Sequence, residues 1–139
     1  MGSRGAAGRS CPPRSGAKLP PKIGYRKILS SLQKEERYAQ GASFLLNKSL
    51  LTPNEGKKED PAHPAIFPTG LLPKSLGARE QKVYDLIVKR FFAPFGEDAI
   101  RETNTVALVI AGERFICRGT RTIHRGWHEL YDPYVDLKE

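Results

Sequence analysis

The stretch Asp60-Pro61-Ala62-His63-Pro64-Ala65-Ile66-Phe67-Pro68-Thr69-Gly70 organises the rest of the sequence. It contains three prolines in eight residues and a histidine with a proline on either side. Because proline fixes φ and moves the residue before it out of the helical region, the stretch predicts an extended, stiff connector. Such a connector can hold the side chains of His63 and Thr69 in fixed directions, which suits a binding surface. An ordinary proline-rich loop has the same composition.

Two helices are predicted before the connector. The first begins near Pro21, a residue suited to the first turn of a helix, and extends to about Gln33. Its imperfect apolar face consists of Ile23, Ile28, Leu29 and Leu32. The second helix spans about 36–47, and its apolar residues at helical spacing are Tyr38, Ala42, Leu45 and Leu46. Gly41 weakens this second helix mildly.

The strongest helical pattern follows the connector. Gly77 can serve as the N-cap, Glu80 lies in the first turn where the helix dipole favours an acid, and Pro94 ends the helix. The predicted apolar stripe contains Val83, Leu86, Ile87, Arg90 and Phe91. Arg90 is either a snorkelling side chain or a phosphate contact.

The hydrophobic period changes from helical spacing to two after Thr103. One strongly apolar strand face contains Val106, Leu108 and Ile110. Residues 111–113 predict a turn into a returning strand over 114–118, and a third strand is predicted over 120–124. The sequence therefore predicts the α+β class, with helices first and a small antiparallel sheet after them.

The net charge of +8 is confined to the N-terminal quarter of the chain. Residues 1–34 contain eight lysines and arginines and no acid, whereas residues 35–139 contain fifteen basic and fifteen acidic residues. A one-sided basic region indicates an anionic partner, and nucleic acid suits it better than a membrane because no amphipathic anchor accompanies it. A solvated basic tail would have the same charge. Residues 1–17, rich in glycine, proline and arginine, are predicted to be disordered.

Cysteine content and hydropathy argue against secretion and membrane insertion. Cys11 and Cys117 are too few for a disulfide framework or a zinc site, so we expect a reduced, cytoplasmic setting. No apolar run approaches membrane-spanning length, and residues 1–17 lack the apolar core of a signal peptide.

The stretch 60–70 resembles the His-x-Ala-Ile-x-Pro-Thr signature of type IA DNA topoisomerases, in its archaeal topoisomerase III form. Three further segments resemble the same family in the same order: Lys18–Tyr25 with Ile28-Leu29, Val83–Ala93, and Gly126-Trp127 with Leu130-Tyr131. The resemblance implies an internal fragment, an incomplete portion of the family's toroid. It places the helical part of the tyrosine-bearing domain over 18–95 and the β-rich return into the hinge domain over 96–139.

Members of this family cut one DNA strand with a tyrosine and hold the broken strand as a phosphotyrosine. The ester conserves the energy of the broken bond, so resealing needs no ATP. Aligned on Lys18, the family motif Ser-Tyr-Pro-Arg-Thr-Ser-Ser-Gln-Lys-Leu-Pro-Pro places Cys11 at the tyrosine position and Pro13 at the arginine position. The resemblance therefore predicts no catalytic residue here, and a chain that is inactive alone.

No Asp-x-Asp sequence occurs in the chain, so no metal site or cofactor is predicted for it, although the full-length family uses Mg²⁺. The resemblance implies that His63 contacts a phosphate or the nucleotide at the cleavage site. Weaker candidates for DNA contact are Thr69, Lys18, Arg14 and Arg90. A further basic group, Arg118, Arg121 and Arg125, fits either a DNA-facing surface or a charged outer strand face.

The expected partner is DNA, preferably single-stranded, with the missing remainder of a topoisomerase as a second partner, and the expected location is with the nucleoid. Two alternatives stay open: a small basic DNA-binding module without chemistry, and a piece that completes a split topoisomerase in trans. We also expect the helix over 83–91 and the strand over 106–110 to expose apolar faces that the full enzyme covers. The isolated chain should then be marginally stable and prone to associate.

Overall fold

The computed structural model of this chain describes residues 6–10, 18–20, 22–55, 57 and 65–135. In chain order the elements are strand β1 (Ala6–Ser10), helices α1 (Tyr25–Leu32), α2 (Glu36–Leu46) and α3 (Ala78–Phe92), strands β2 (Ala99–Ile110) and β3 (Glu113–His124), and helix α4 (Trp127–Tyr131). A single 3₁₀ turn, Ala93–Phe95, follows α3. The predicted α+β class is confirmed.

Helices α1 and α2 are confirmed, but α1 begins at Tyr25 and not near Pro21, so Ile23 of its predicted apolar face precedes the helix. The buried residues are Ile28, Leu29 and Leu32 on α1, and Tyr38, Ala42 and Leu45 on α2. They form one core with α3 and the 3₁₀ turn. Gly41, predicted as a weakness in α2, has a packing role: a Cβ there would lie 3.0 Å from the Phe92 ring. The absent side chain lets α2 approach α3 closely.

Helix α3 begins after Gly77 as predicted, and the Glu80 carboxylate accepts a hydrogen bond from the Gly77 N–H at 2.9 Å. Of the predicted apolar stripe, Val83 and Leu86 are exposed, as expected for this chain by itself, and Phe91 is buried. The helix also buries three residues outside that stripe, Asp85, Val88 and Phe92. The aromatic residues decide this orientation, because the ring of Tyr38 makes edge-to-face contacts with those of Tyr84 and Phe92.

The carboxylate of Asp85 is buried because the C-terminal segment supplies its partner. The Tyr134 hydroxyl donates a hydrogen bond to Asp85 Oδ2 at 2.8 Å, and Lys89 Nζ lies 3.6 Å from the same atom. Lys89 Nζ also donates to the Asp132 carbonyl at 2.6 Å. These contacts fasten the segment after α4 onto α3, since a buried carboxylate is stable only when it is hydrogen-bonded.

The sheet has the order β1-β2-β3, and both pairings are antiparallel. The prediction of disorder over 1–17 is wrong for Ala6–Ser10, which pairs with residues 99–103 of β2, while residues 1–5 and 11–17 lie outside the described residues. Pairing at a sheet edge needs only backbone groups, which explains a strand without large apolar residues. The separate third strand over 120–124 is also wrong, because β3 continues through it to His124.

Beyond residue 103, β2 pairs only with β3, and the two strands form a hairpin that we call the ribbon, residues 104–119. Every residue of the ribbon is exposed. Ala111 and Gly112 both have positive φ, 52° and 84°, as a two-residue hairpin turn of the primed type requires. The expected exposure of the apolar strand face is confirmed, with Leu108 50% exposed.

The β2–β3 hairpin, whose outer part is the ribbon, joins the helical core next to two glycines. Each glycine lies very close to atoms of another segment. A Cβ on Gly126 would lie 2.5 Å from the Asp98 carbonyl oxygen, and one on Gly96 would lie 2.7 Å from the Trp127 Cβ. The Trp127 N–H donates to the Glu97 carbonyl at 2.8 Å. Leu130 of α4 also packs in the helical core. The predicted domain boundary between residues 95 and 96 stays a prediction.

Candidate nucleic-acid interface

The described half of the proline-rich stretch, residues 65–70, lies against helix α1 without forming a helix or strand. Ala65 and Phe67 pack against the core, and Pro68 is buried. Gly70 has a φ of 84°, and a Cβ there would lie 3.5 Å from the Ile28 Cα. The stretch is therefore a fixed connector over these residues, as its prolines predicted, and glycine suits its last position on conformational grounds.

Thr69 is the predicted site residue within this fixed connector. Its side chain is exposed, and its hydroxyl oxygen accepts a hydrogen bond from the Leu71 N–H at 3.3 Å. This local hydrogen bond orients the hydroxyl group and leaves its proton available to an acceptor in solution. The geometry suits a phosphate contact.

Lys18 is exposed and precedes an anchored residue. Leu19 is buried in the core, and its N–H donates to Glu55 Oε1 at 2.9 Å. Burial and the Glu55 carboxylate raise the pKa of Tyr25, the first residue of α1. A raised pKa disfavours the phenolate, so Tyr25 is a poor substitute for a nucleophilic tyrosine.

Arg90 lies at the C-terminal end of α3, where its guanidinium carbon is 5.6 Å from the centre of the Tyr131 ring. The side chain is exposed, so this cation–π contact leaves part of the guanidinium facing solvent. Arg90 thus helps to hold α4 on α3. A role in DNA contact stays a prediction.

Three other predicted site positions lie outside the described residues. They are His63, Arg14 and Cys11, the residue that the resemblance aligns with the family's tyrosine. The structure therefore fixes the second half of the histidine-bearing stretch and leaves the predictions for these three residues as they stood.

Two other cations, Arg26 and Arg121, have partners within the protein. Arg26 donates to three carbonyl oxygens at and just after the C-terminal end of α2, those of Leu46, Lys48 and Ser49, at 2.8–3.2 Å. Arg121 Nε lies 2.7 Å from Glu102 Oε2, so its charge is balanced by a carboxylate. Neither pairing has a local sequence signal, because the partners lie about 20 residues away along the chain.

A cavity of about 590 Å³ separates α2 from the turn between β3 and α4. Its lining includes three cations and three carboxylates: Arg37, Lys89, Arg125, Glu97, Glu129 and Asp132. Because these charges balance, the cavity does not have the electrostatic character of a phosphate site.

Within the described ranges, no group of three His, Cys, Asp or Glu side chains is placed to hold a metal ion. In the same ranges, no helix has the length and apolar character needed to cross a membrane.

Comparison with known proteins decides the family. A sequence profile described as DNA topoisomerase matches residues 13–139. The chain belongs to the type IA DNA topoisomerase family. The resemblance of the four sequence segments is thereby confirmed.

Archaeal and eukaryotic topoisomerases are among the similar proteins. The chain is 50% identical over 130 residues to DNA topoisomerase 1 of Methanothermobacter thermautotrophicus, covering 94% of this chain and 18% of that protein. It is 45% identical over 132 residues to DNA topoisomerase 1 of Pyrococcus horikoshii, covering 94% and 19%. DNA topoisomerase 3-alpha of Homo sapiens is 36% identical over 100 residues, covering 72% and 10%. The chain thus spans less than a fifth of the length of each of these three relatives.

Proposed function

We propose that this chain is a portion of a type IA topoisomerase that contributes DNA contacts and is inactive in strand cleavage alone. The observation that carries the proposal is the family match over residues 13–139. The expectation of inactivity rests on aligning the family motif on Lys18, which puts Cys11 at the position of the tyrosine. The portion corresponds to the end of the tyrosine-bearing domain and the return into the hinge domain. The missing remainder of the enzyme is then its natural partner.

The chemistry of strand cleavage supports inactivity. A tyrosine ester keeps the energy of the broken phosphodiester, whereas a cysteine thiolate would give a phosphothioester that is a poor reservoir for religation. Position 13 carries proline instead of the arginine that would pair with the phosphate. The raised pKa of Tyr25 argues against that residue as a replacement. Mg²⁺, as used by the full-length family, has no predicted ligands in this chain, so we propose no cofactor for it.

The experiment is relaxation of supercoiled plasmid by the purified chain with Mg²⁺. We expect no relaxation, and no covalent adduct with a labelled single strand. Relaxation that disappears in Cys11→Ala would contradict the proposal, because it would identify the thiol as a working nucleophile.

DNA binding is proposed to depend on the N-terminal basic segment, with His63, Thr69, Lys18, Arg14 and Arg90 as contacts and single strands preferred. This role places the protein in the cytoplasm with the nucleoid. All eight excess positive charges lie in residues 1–34, so binding should be weak, independent of sequence and steeply salt-dependent. If about three to five phosphates are contacted, the log–log salt slope for single strands should be roughly −2 to −4.

Charge substitution tests this role better than deletion, because Ala6–Ser10 forms β1. The triple variant Arg4→Gln, Arg9→Gln, Arg14→Gln should flatten the slope by up to about 2, since each lost phosphate contact removes about 0.7. His63→Ala should lower affinity with little change in slope, because a neutral imidazole releases no counterion. Binding that is equal at low and high salt would show that the basic segment is a bystander.

The split-enzyme alternative has a specific structural observation in its favour. The ribbon exposes large apolar side chains, including Val106, Leu108 and Phe115, that a monomeric protein ordinarily covers. If the chain completes a split topoisomerase, mixing it with a separately expressed remainder should give a stable complex. Relaxation activity that depends on both pieces would establish this alternative over a DNA-binding module.

A further inference from the structure

The two faces of the β2–β3 hairpin differ in charge. Since opposite residues of an antiparallel pair project to the same side, the pairing of Thr105 with Arg118 fixes the two faces. The first, which we call the basic face, contains the odd-numbered residues of 101–109 and the even-numbered residues of 114–122. The second, which we call the apolar face, contains the even-numbered residues of 102–110 and the odd-numbered residues of 113–121.

Cations and acids are sorted between these faces. The basic face carries three arginines, four threonines and no acid. The apolar face carries both glutamates of the hairpin and one arginine, Arg121, whose charge is balanced by Glu102 at 2.7 Å. Arg118 and Arg121 are only three residues apart in the sequence. In a strand this odd spacing places them on opposite faces.

The exposed arginines of the basic face are available to a ligand. Arg114 and Arg118 lie in the exposed ribbon, and within the described residues no carboxylate pairs with either of them. Four residues of strand separate them, which is about 13 Å. Hydroxyl groups continue the same face toward the core, where Thr103 Oγ1 and Thr120 Oγ1 lie 3.0 Å apart.

Arginine and threonine are side chains that commonly contact the phosphate oxygens of nucleic acids. A span of about 13 Å corresponds to about four base-pair steps along the axis of duplex DNA, and a two-stranded ribbon is narrow enough to enter the major groove. The apolar face has a net charge of the opposite sign, which does not suit contact with phosphate. The two faces therefore differ in their suitability for DNA.

We propose that the basic face of the ribbon contacts the phosphate backbone of DNA and that the apolar face does not. The proposal rests on the DNA-binding role proposed above and extends it to a second surface, remote in sequence from the basic N-terminus. Arg114 and Arg118 supply the charge, and Thr105, paired with Arg118, supplies a neighbouring hydroxyl.

The test compares Arg118→Gln with Arg121→Gln, two substitutions of the same type on the same strand but on opposite faces. Arg118→Gln should weaken DNA binding about three- to tenfold, and should reduce the salt slope by about 0.7 for single strands or 0.9 for duplex. Arg121→Gln should change affinity less than about twofold. Oligonucleotides of both forms are titrated, and a loss with either form supports the proposal.

A second measurement needs no charge change. In a Cys11→Ser background, alkylation of Cys117 reports the apolar face, and alkylation of the thiol in Cys117→Ser, Ile116→Cys reports the basic face. DNA should slow alkylation at position 116 and leave position 117 unchanged. Equal protection of both positions would overturn the face assignment.

The outcomes separate this proposal from the proposed function. If the full chain binds DNA but Arg118→Gln and Arg121→Gln behave alike, only net charge matters and the basic face is not a contact surface. If the chain does not bind DNA at all, both proposals are wrong. Because position 118 is exposed, an unchanged thermal transition in each variant confirms that folding does not explain the difference.

Discussion

The helical core and the ribbon are built from equally apolar sequence but have opposite packing. In the core, Leu29 and Leu32 are completely buried and contribute to one cluster with aromatic residues of α3. In the ribbon, Leu108 and Ile116 are each at least half exposed although they lie in regular strands. The two strands of the ribbon hydrogen-bond to each other without a packed face, whereas a helix pair is stable only through its packed stripe.

The difference shows where stability and binding reside in this chain. The core supplies the free energy of folding, and the ribbon is a preformed surface whose side chains remain available to partners. Substitutions should therefore have effects that depend on the region more than on the residue type.

The largest expected effect is a difference in stability between two leucine-to-alanine substitutions, one in the core and one in the ribbon. Leu29→Ala should lower the free energy of unfolding by about 2–5 kcal/mol, because it leaves a cavity in the core. Leu108→Ala should lower it by about 0.5 kcal/mol or less, since its side chain is half exposed. Urea titration followed by circular dichroism measures both values.

Equal losses of unfolding free energy in Leu29→Ala and Leu108→Ala would contradict this difference between the core and the ribbon. Such a result would mean that the ribbon is covered in solution, and a dependence of the Leu108→Ala loss on protein concentration would identify self-association as the cover.

An intermediate effect is expected at the joint between the regions. Gly126→Ala should destabilise the fold by about 1–3 kcal/mol or more, because φ is 51° and a Cβ would lie 2.5 Å from the Asp98 carbonyl oxygen. Gly119→Ala is the matched control, since a Cβ there meets nothing within 4 Å and the strand conformation suits alanine. Thermal unfolding measures the stability of both variants. An unchanged stability in Gly126→Ala would show that the backbone around Gly126 shifts easily to accommodate a Cβ.

The smallest effect concerns pH and the buried imidazole of His128 on α4. Burial, followed by the charges of Arg101 and Arg125, lowers the pKa of His128. As pH falls through about 6.5, His128 becomes protonated in the unfolded chain but stays neutral in the folded chain. The free energy of unfolding therefore decreases as pH falls below about 6.5.

Urea titrations of the unaltered chain and of His128→Gln between pH 7.5 and 5.5 measure this loss. The loss should be absent in the variant. If both proteins lose the same stability, carboxylates and not His128 account for the pH dependence.

The start of α3 and the hairpin turn could be predicted because their signals are local, whereas α1 begins at Tyr25 and not near Pro21 as predicted. Gly77 with Glu80 marked the start of α3, and Ala111-Gly112 marked the turn between β2 and β3. Proline spacing indicated the fixed connector that presents Thr69. The N-terminal strand had no such signal, because β1 depends on pairing with residues 99–103 of β2.

The side chains of Thr69, Lys18 and Arg90 are exposed, and their roles in DNA contact stay predictions. The sequence could not show that Arg90 stacks on Tyr131, because the two residues are distant along the chain. It also could not separate Arg118 from Arg121, since the assignment of faces required β3 to be one continuous strand.

The sequence by itself determined the α+β class, the α1–α3 helices and the family, because periodicity, capping and motif order are properties of neighbouring residues. Tertiary structure decided which face of α3 is buried. Asp85 could enter the interior only because Tyr134, 49 residues away, donates to its carboxylate. It also decided that Gly41 and Gly126 are needed where two elements meet, since space at a contact depends on what lies across it.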